Sequence, residues 1–422
     1  MIPNRTMTAL VLLGLSGQIA WAVENQYFNT FMYNHIIPDP RPVSWMVAIT
    51  AVVSTVTTIL MGAISDRTSS RWGRRKPFIL VGYIAWGIFT ALYPLSAAFR
   101  PVTLAVTMAI LFDCLMTFCG STANDASFNA YLTDVTTVEN RGRVVGVQQI
   151  LVWVSMLIVF GGAGFIPEQY AHLLFYVVGG LVIGLGMVGA LLITEPPFEP
   201  VRVPFWQQLI STFRIANLKT HSQFFLLATA TGLWGVAFNV FYPFLLIYLQ
   251  HNLALPPLTS SLLVFVAIMA GGILLAYPFG ILTDRWGRKR VALLSVTVES
   301  IFLLAFSFCR TIIPLAITGI GWLAAITSWS IATGAWLKDL FPEDKRGQFA
   351  GYGILFGVAF TMIPGPLIGG WLSSTYGIPA VIDGKPGIIP PALVFQAAAG
   401  LILLAALPLF RLREPTQQKP EA

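Results

Sequence analysis

Four acidic side chains stand inside long apolar stretches, where an ionised carboxylate is costly. They are Glu24, Asp113, Asp125 and Glu299. A charge at the middle of a bilayer costs roughly 2.5–3.5 kcal/mol on insertion scales, so each of these residues requires a reason. A carboxyl group in such surroundings can carry a proton, or its oxygens can hold a cation such as Na⁺. These residues are therefore the first candidates for ion-binding chemistry.

Helical spacing places polar partners beside three of these acids. Asp113, Thr117 and Asn124 are spaced to share one face of a helix, together with Gly120, while Asp125 falls on another face. We predict that Glu24, Asp113 and Asp125 form a cation-coupling site. The competing interpretation is a set of buried acids that are satisfied by neighbouring amides and hydroxyls. For Glu299 we expect an interhelical hydrogen bond.

The elements that carry these residues are membrane helices. Of 422 residues, 56% are hydrophobic and 10% are charged, whereas soluble proteins carry about 25% charged residues. A spanning helix needs about 20 apolar residues, and twelve stretches of that kind occur. They lie near residues 8–36, 44–64, 77–98, 101–133, 144–165, 171–193, 222–249, 259–282, 291–309, 312–336, 347–372 and 391–410. The fold class is therefore an all-α membrane protein with twelve transmembrane helices, and we expect its first apolar stretch to be a span rather than a cleaved leader.

The distribution of lysine and arginine along the chain predicts its orientation in the membrane. Of the 25 lysines and arginines, the loops on one side hold four, which are Arg41, Arg100, Arg310 and Lys385. The other 21 fall on the side that holds both chain ends, and cytoplasmic loops collect such residues. Both termini are therefore predicted to be cytoplasmic, in a multi-pass protein of the inner or plasma membrane. The net charge of +7 then reflects topology and contact with membrane lipid, so nucleic acid is excluded as a partner.

The chain also repeats itself. Asp134 and Arg141 recur as Asp339 and Arg346 at an offset of 205 residues, within similar short motifs. We therefore predict two six-helix bundles, residues 1–194 and 222–422, joined by a cytoplasmic linker at 195–221. Doubled halves of this kind place a substrate site between them near the middle of the bilayer. Glu24, Asp113 and Asp125 correspond to Ala237, Thr318 and Ser330, so the central acids belong to the first half only.

A second repeated motif lies in a cation-rich loop of each half. Gly62-x-x-x-Asp66-Arg67 followed by Trp72-Gly73-Arg74-Arg75 matches Gly280-x-x-x-Asp284-Arg285 followed by Trp286-Gly287-Arg288-Lys289. Arginines beside a carboxylate at a helix end can latch neighbouring helices, and a glycine permits the tight turn. The alternative is that these cations serve topology and lipid contact alone. The predicted latch residues are Asp66, Arg67, Arg71, Gly73, Arg74, Arg75, Arg141, Asp284, Arg285, Gly287, Arg288 and Arg346.

These paired motifs resemble the signature of the major facilitator superfamily. The insertion Thr68-Ser69-Ser70-Arg71 in the first copy resembles the sucrose transporter-like branch, which is related to the glycoside–pentoside–hexuronide cation symporters. The resemblance implies two six-helix pseudo-repeats and alternating access. It also implies a sugar or glycoside as substrate, together with H⁺ or Na⁺. Such symporters use acids in helices 1, 2 and 4, but this chain has no acid in helix 2 before Asp66, which favours H⁺ over Na⁺.

Sugar recognition needs flat apolar faces for the ring and amides for the hydroxyls. The predicted substrate-binding residues combine these types on helices 1, 4, 5 and 7: Trp21, Asn25, Asn29, Asn124, Gln148, Gln149, Trp234, Asn239 and Tyr242. Aromatic side chains at such positions also commonly pack helices together. Both interpretations therefore stay open for each aromatic residue.

The sequence carries no phosphate-binding loop, nucleophile motif or metal-ligand spacing. We therefore expect a protein that is not an enzyme and that holds no cofactor or metal. We also expect it to be a monomer. The interpretation that fits best is proton-coupled symport of a sugar or glycoside by alternating access. A proton-driven exporter of amphipathic drugs or lipids is one alternative, and a membrane sensor that has lost transport is another.

Overall fold

The computed structural model describes residues 3–196, 221–340 and 346–413. Within these residues twelve helices are long and apolar enough to cross a membrane, as the hydropathy predicts. We number them α1 to α12 in chain order. Their bounds are Asn4–Ile36, Pro40–Arg67, Lys76–Ala98, Val102–Asp134, Arg143–Ala163, His172–Leu192, Ser222–Asn252, Pro257–Trp286, Arg288–Phe308, Ile312–Gly334, Gly351–Tyr376 and Leu393–Arg411.

The helices pack around two large hydrophobic cores, and a smaller cluster joins the start of α7 to residues near the start of α11. Large buried side chains of α1 to α6, such as Tyr83 and Trp86, form most of the first core. Those of α7 to α12, such as Trp329 and Phe395, form most of the second. Two six-helix halves result, as the repeat predicts. The exact domain limits stay a prediction, because residues 197–220 of the linker lie outside the described residues.

Several spans contain π-helical turns, which are wider than α-helical ones. They occur in α1 at Glu24–Phe28, in α4 at Ser121–Phe128 and in α8 at Ile268–Leu274. Such turns shift the register of the residues that follow them, and they are frequent at functional sites. The segment of α1 that carries Glu24 and the segment of α4 that carries Asp125 both have this form.

A β-hairpin between α11 and α12 is the element that our sequence interpretation missed. Strands β1 (Ile378–Ile382) and β2 (Lys385–Ile389) pair antiparallel. The two residues between them have positive φ, +49° at Asp383 and +75° at Gly384. Asp-Gly is a favoured pair for a two-residue hairpin turn of this kind, so the sequence did carry the signal. A hydropathy search for spans passes over it because the strands are short.

Candidate functional site

Glu24 of α1 and Asp113 of α4 face each other between the helices of the first half. Their carboxyl groups interact with each other. Thr117 Oγ1 donates to Glu24 Oε1 at 3.0 Å. Asp113 is 1% exposed, and its Oδ1 has no partner among the described residues. Two carboxyl groups can share a hydrogen bond only when one of them is protonated, so this pair can hold a proton or, with further ligands, a cation.

Asp125 interacts with Glu24 less strongly than Asp113 does. Its two carboxylate oxygens accept from Asn124 Nδ2 at 2.9 Å and from Ser121 Oγ at 3.0 Å, both on its own helix. Its carboxylate also interacts with the Trp21 side chain of α1. Asp125 is therefore a well-satisfied carboxylate within electrostatic range of Glu24.

The single polar face that we expected on α4 stays a prediction. Thr117 donates to Glu24 of α1, and Asn124 lies beside Gly17 of α1 and accepts a hydrogen bond at 3.0 Å from the Tyr83 hydroxyl of α3. The π-helical turns that begin at Ser121 shift the residues after them out of straight α-helical register. Asn124 is 5% exposed and belongs to the packing of the first half. Its predicted contact with substrate stays a prediction.

Three aromatic rings of α7 form a ladder at intervals of four residues. Trp234 and Phe238 stack with centroids 5.5 Å apart and planes at 17°, and Phe238 and Tyr242 stack at 4.5 Å and 29°. We call these three residues the aromatic ladder. All three are partly exposed, as is Trp21 on α1. α1 meets this region directly, because Gln26 Nε2 donates to the Tyr242 carbonyl at 2.7 Å.

Most of the predicted amides bond to backbone near them. The side chains of Asn25, Asn29 and Asn239 each donate to the carbonyl four residues earlier, at 2.7 to 2.8 Å. Gln148 donates to the Leu10 carbonyl of α1 at 3.0 Å, and Gln149 is exposed. Asn29 and Asn239 are buried, whereas Asn25 is partly exposed beside Glu24. Of these amides, Asn25 is therefore the best placed to reach a ligand between the halves.

The two halves are bonded together on the side that carries the hairpin. Tyr27 of α1 and Ser261 of α8 share a hydroxyl–hydroxyl bond of 3.1 Å, and Asn34 bonds His251 of α7 at 2.8 Å. A cavity of about 70 Å³ remains between these contacts, lined by residues that include Tyr27 and Phe175. Small-molecule pockets usually measure about 300–1,000 Å³, so this space is too small for a sugar. The structure is closed on this side.

The hairpin contributes to that closure. Although it belongs to the second half, its Ile388 N–H donates to the Pro38 carbonyl at 2.9 Å. The Tyr33 hydroxyl of α1 donates to the Ile388 carbonyl at 2.8 Å. Lys385 Nζ donates to the carbonyls at the end of α1, His35 O at 3.3 Å and Ile36 O at 3.4 Å. The hairpin thus holds the connection between α1 and α2.

The opposite side of the first half carries a dense cluster of charges. Arg75 is 4% exposed in its side chain and bonds Asp66 and Ser65 of α2. Asp134, at the end of α4, accepts from Arg74 at 2.7 Å and lies 3.5 Å from Arg75 Nε. Charge-assisted bonds of this kind join the ends of α2 and α4 to the start of α3. The predicted contacts of Arg74, Arg75 and Asp66 therefore exist, while their role in gating stays a prediction.

Glu195, which our sequence interpretation did not single out, completes this cluster. Its carboxylate accepts from three successive backbone N–H groups, those of Arg74, Arg75 and Lys76, at 2.8, 2.9 and 2.7 Å. These donors begin α3, where helical N–H groups have no partners within the helix. Because the donors are backbone atoms, nothing in the residue types near Arg75 points to Glu195. Asp134, by contrast, was signalled by its recurrence as Asp339.

The second half has a simpler version of the cluster. Arg288 bonds Asp339, and both side chains are more exposed than their counterparts in the first half. Gly73 and Gly287 have φ of +104° and +88°, which explains why glycine occupies both turns. Four further predicted latch residues, Arg67, Arg71, Asp284 and Arg285, lie at the surface or partly buried, and Arg71 stands over the Trp72 ring at 5.4 Å. The side chains of Arg141 and Arg346 lie outside the described residues.

Comparison with known proteins agrees with this architecture. A family model described as "Major Facilitator Superfamily" matches residues 6–277 and 227–422. An uncharacterised MFS-type transporter of Methanocaldococcus jannaschii is 25% identical over 338 residues, 76% of each chain. The human "Proton-associated sugar transporter A" is 29% identical over 194 residues, which cover 42% of this chain and 23% of that protein.

Two solved structures have the same fold. The nucleoside transporter NupG aligns with a TM-score of 0.72 at 14% identity, over 97% of this chain and 99% of its own. The inward open xylose transporter XylE from E. coli aligns with a TM-score of 0.68 at 13% identity, over 98% and 96%. Sequence family and fold together describe a multi-pass membrane transporter and not an enzyme, and the chain belongs to the Major Facilitator Superfamily.

Proposed function

We propose that this protein is a secondary transporter that moves a sugar or glycoside together with H⁺ by alternating access. The observation that carries the proposal is the pairing of Glu24 with Asp113. Among the described residues, no ion pair includes Glu24 or Asp113. A buried carboxyl pair without a neighbouring cation is stabilised when a proton removes one of its negative charges.

The geometry favours H⁺ over Na⁺. A proton needs only the two facing carboxyl oxygens, whereas a metal cation needs several oxygen ligands. Thr117 is the polar side chain that joins the pair, and its hydroxyl already donates to Glu24. Among the described residues, no group of three or more acidic, histidine or cysteine side chains could hold a metal ion.

The aromatic ladder and Trp21 support a sugar as the substrate. They place flat, partly exposed rings on both halves, and α1 meets α7 where Gln26 bonds the Tyr242 carbonyl. The apolar face of a sugar ring can stack on such surfaces while its hydroxyls bond amides or carboxyls, such as Asn25 and Glu24. The long loop after α2 resembles the sucrose transporter-like branch, and the similar human protein is named as a sugar transporter; both agree with this substrate class.

In the proposed cycle, a proton on the Glu24–Asp113 pair neutralises the site, and sugar binds between the halves. The halves then rock so that one side closes and the other opens. If the cation-rich side is cytoplasmic, the side that carries the hairpin and is closed in this structure faces outward. A membrane potential of 100 mV supplies about 2.3 kcal/mol per charge moved, which is roughly a 50-fold gradient.

Purified protein in proteoliposomes tests this proposal. Labelled mono- and disaccharides are offered with an imposed proton gradient, an imposed Na⁺ gradient, or neither. We expect a sugar of this panel to accumulate with the proton gradient alone. Glu24→Gln and Asp113→Asn should abolish accumulation yet retain exchange of sugar across the membrane, because a neutral site can still bind and move its substrate.

Glu299→Gln is the matched control, because Glu299 is buried, as Asp113 is, but lies in the second half, where no carboxyl partner faces it among the described residues. It should still accumulate sugar. Accumulation that survives in both Glu24→Gln and Asp113→Asn would refute the coupling assignment. Outward movement of amphipathic compounds with no sugar transport would instead favour a proton-driven exporter.

A further inference from the structure

Glu299 of α9 is a fully buried acid that the proposed coupling site does not use. Its exposure is 0%. Its Oε2 accepts one hydrogen bond, from Trp234 Nε1 of α7 at 2.8 Å. Its Oε1 has no partner among the described residues. The carboxyl group is therefore bonded to the first ring of the aromatic ladder and to no cation.

Stability alone gives a poor account of this acid. Among the described residues no ion pair involves Glu299, and the neighbouring polar contacts join Ser295 to Ser328 and Ser300 to the Ala399 carbonyl. A buried carboxyl group with an unsatisfied oxygen costs free energy, and an apolar residue of similar volume usually replaces such a group without loss. The hydrogen bond to Trp234 is therefore the interaction that can explain a carboxyl group at this buried position.

That bond fixes the orientation of an indole that is otherwise held by stacking. Trp234 lies between Phe238, stacked at 17°, and Trp329, whose ring is 5.9 Å away and tilted by 31°. Ring contacts alone permit an indole to slide or flip in its plane, whereas an N–H bond at the edge selects one orientation. Trp234 remains partly exposed, so the surface that it offers to a ligand depends on that orientation.

The first half contains a parallel arrangement. Trp21 and Trp234 occupy equivalent positions of the repeat, 213 residues apart. The Trp21 side chain interacts with Asp125 of α4, while Trp234 donates to Glu299 of α9. Each half thus supplies a partly exposed tryptophan that contacts a carboxyl group, although the acid comes from a different helix in each case.

We propose that Glu299 is a positioning residue that orients Trp234 as a stacking surface for the substrate and so sets sugar affinity and selectivity. This inference rests on the proposed function. The hydrogen bond to Trp234 needs an acceptor oxygen and not a charge. Glutamine at position 299 should therefore preserve the affinity for sugar, whereas leucine should lower it.

The test compares Glu299→Gln with Glu299→Leu, each in wild-type and Trp234→Phe backgrounds, in the proteoliposome assay. Glu299→Leu should raise the KM of the transported sugar about tenfold, the loss of one hydrogen bond of ordinary strength, with little change in kcat. Glu299→Gln should stay within about threefold of wild type. In the Trp234→Phe background, which lacks the indole N–H, Glu299→Leu should have no further effect on KM.

A readout that needs no sugar separates this inference from the proposed function. The Trp234 contribution to fluorescence is the difference between the emission of each protein and that of its Trp234→Phe version. It should change in Glu299→Leu and stay unchanged in Glu299→Gln, even if no sugar in the panel proves to be transported. Glu299→Leu should remain monodisperse and as thermally stable as wild type, because it removes a buried polar group.

Three results would overturn the inference. One is an equal effect of Glu299→Leu on KM with and without the Trp234 indole, which would indicate a general packing role. Another is an unchanged KM and emission in Glu299→Leu. The third is a loss of proton-driven accumulation, with retained exchange, in Glu299→Gln, which would make Glu299 a proton-coupling group.

Discussion

Replacing Glu195 by glutamine should loosen the start of α3 and little else. In the structure its carboxylate accepts from the backbone N–H groups of Arg74, Arg75 and Lys76. Glutamine keeps one acceptor oxygen but turns an NH₂ group toward backbone donors, so at least one N–H loses its partner. Replacing a charge-assisted hydrogen bond by a neutral one costs about 1 kcal/mol for each bond. Removing the negative charge at the helix N-terminus costs about 0.3–1 kcal/mol more. The total is about 2–4 kcal/mol of local opening free energy.

Hydrogen–deuterium exchange of peptides that cover residues 70–80 measures this quantity. Each decrease of about 1.4 kcal/mol in opening free energy raises the exchange rate about tenfold. Amides at the start of α3 should therefore exchange roughly 30- to 1,000-fold faster in Glu195→Gln than in the wild type. Asp339→Asn is the control, because it removes a carboxylate from the same side of the second half without touching α3. Unchanged exchange at residues 74–76, or an equal increase throughout the protein, would refute the assignment of Glu195 as the cap of this helix.

Three further predictions follow from the contacts described above. Asp134→Asn should lower the free energy of unfolding by about 1.5–3 kcal/mol, because Arg75 is buried, whereas Asp339→Asn should lower it by at most about 1 kcal/mol, as measured by denaturant titration in detergent. Equal losses would contradict the difference in burial. Gly387→Ala should weaken the contact between the hairpin and the connection from α1 to α2, because a Cβ on Gly387 would stand 2.7 Å from the Pro38 carbonyl oxygen, closer than van der Waals contact allows. Hydrogen–deuterium exchange at Ile388, whose N–H donates to that carbonyl, should therefore rise, and unchanged exchange there would show that the hairpin accommodates the methyl group. Thr117→Val should reduce proton-driven uptake about tenfold and Thr117→Ser should restore it, because serine keeps the donor to Glu24. Equal uptake by both variants would show that this hydrogen bond has no part in coupling.

The sequence predicted well the features that depend on a single segment of the chain or on the internal repeat. The twelve spans follow from apolar length, and the turns at Gly73 and Gly287 follow from the need for positive φ. The pairing of Glu24 with Asp113 was within reach, because both acids are exceptional in their apolar surroundings. In each case the residue type itself carries the physical constraint.

What the sequence did not reveal depends on contacts between distant segments. Glu195 binds backbone N–H groups that every helix start possesses, so no residue type identifies its partners. The π-helical turns from Ser121 change the register of the residues that follow them, and no residue type in α4 signals those turns. The bond between Trp234 and Glu299 joins helices whose relative rotation cannot be read from either segment alone.

The two halves differ in chemistry although they share a repeat, and this difference constrains any mechanism that couples them. The carboxyl pair lies wholly within the first half, on α1 and α4, whereas the aromatic ladder lies on α7 of the second. Gln26 connects the two directly, because it follows Glu24 by two residues and donates to the Tyr242 carbonyl at the end of the ladder. In the proposed cycle, a change in charge at Glu24 therefore reaches the ladder through one segment of α1. Breaking that link should leave sugar binding and proton binding intact but uncouple them, so Gln26→Leu is expected to transport sugar without accumulating it under a proton gradient. Accumulation at the wild-type level in this variant would require a different route between the halves.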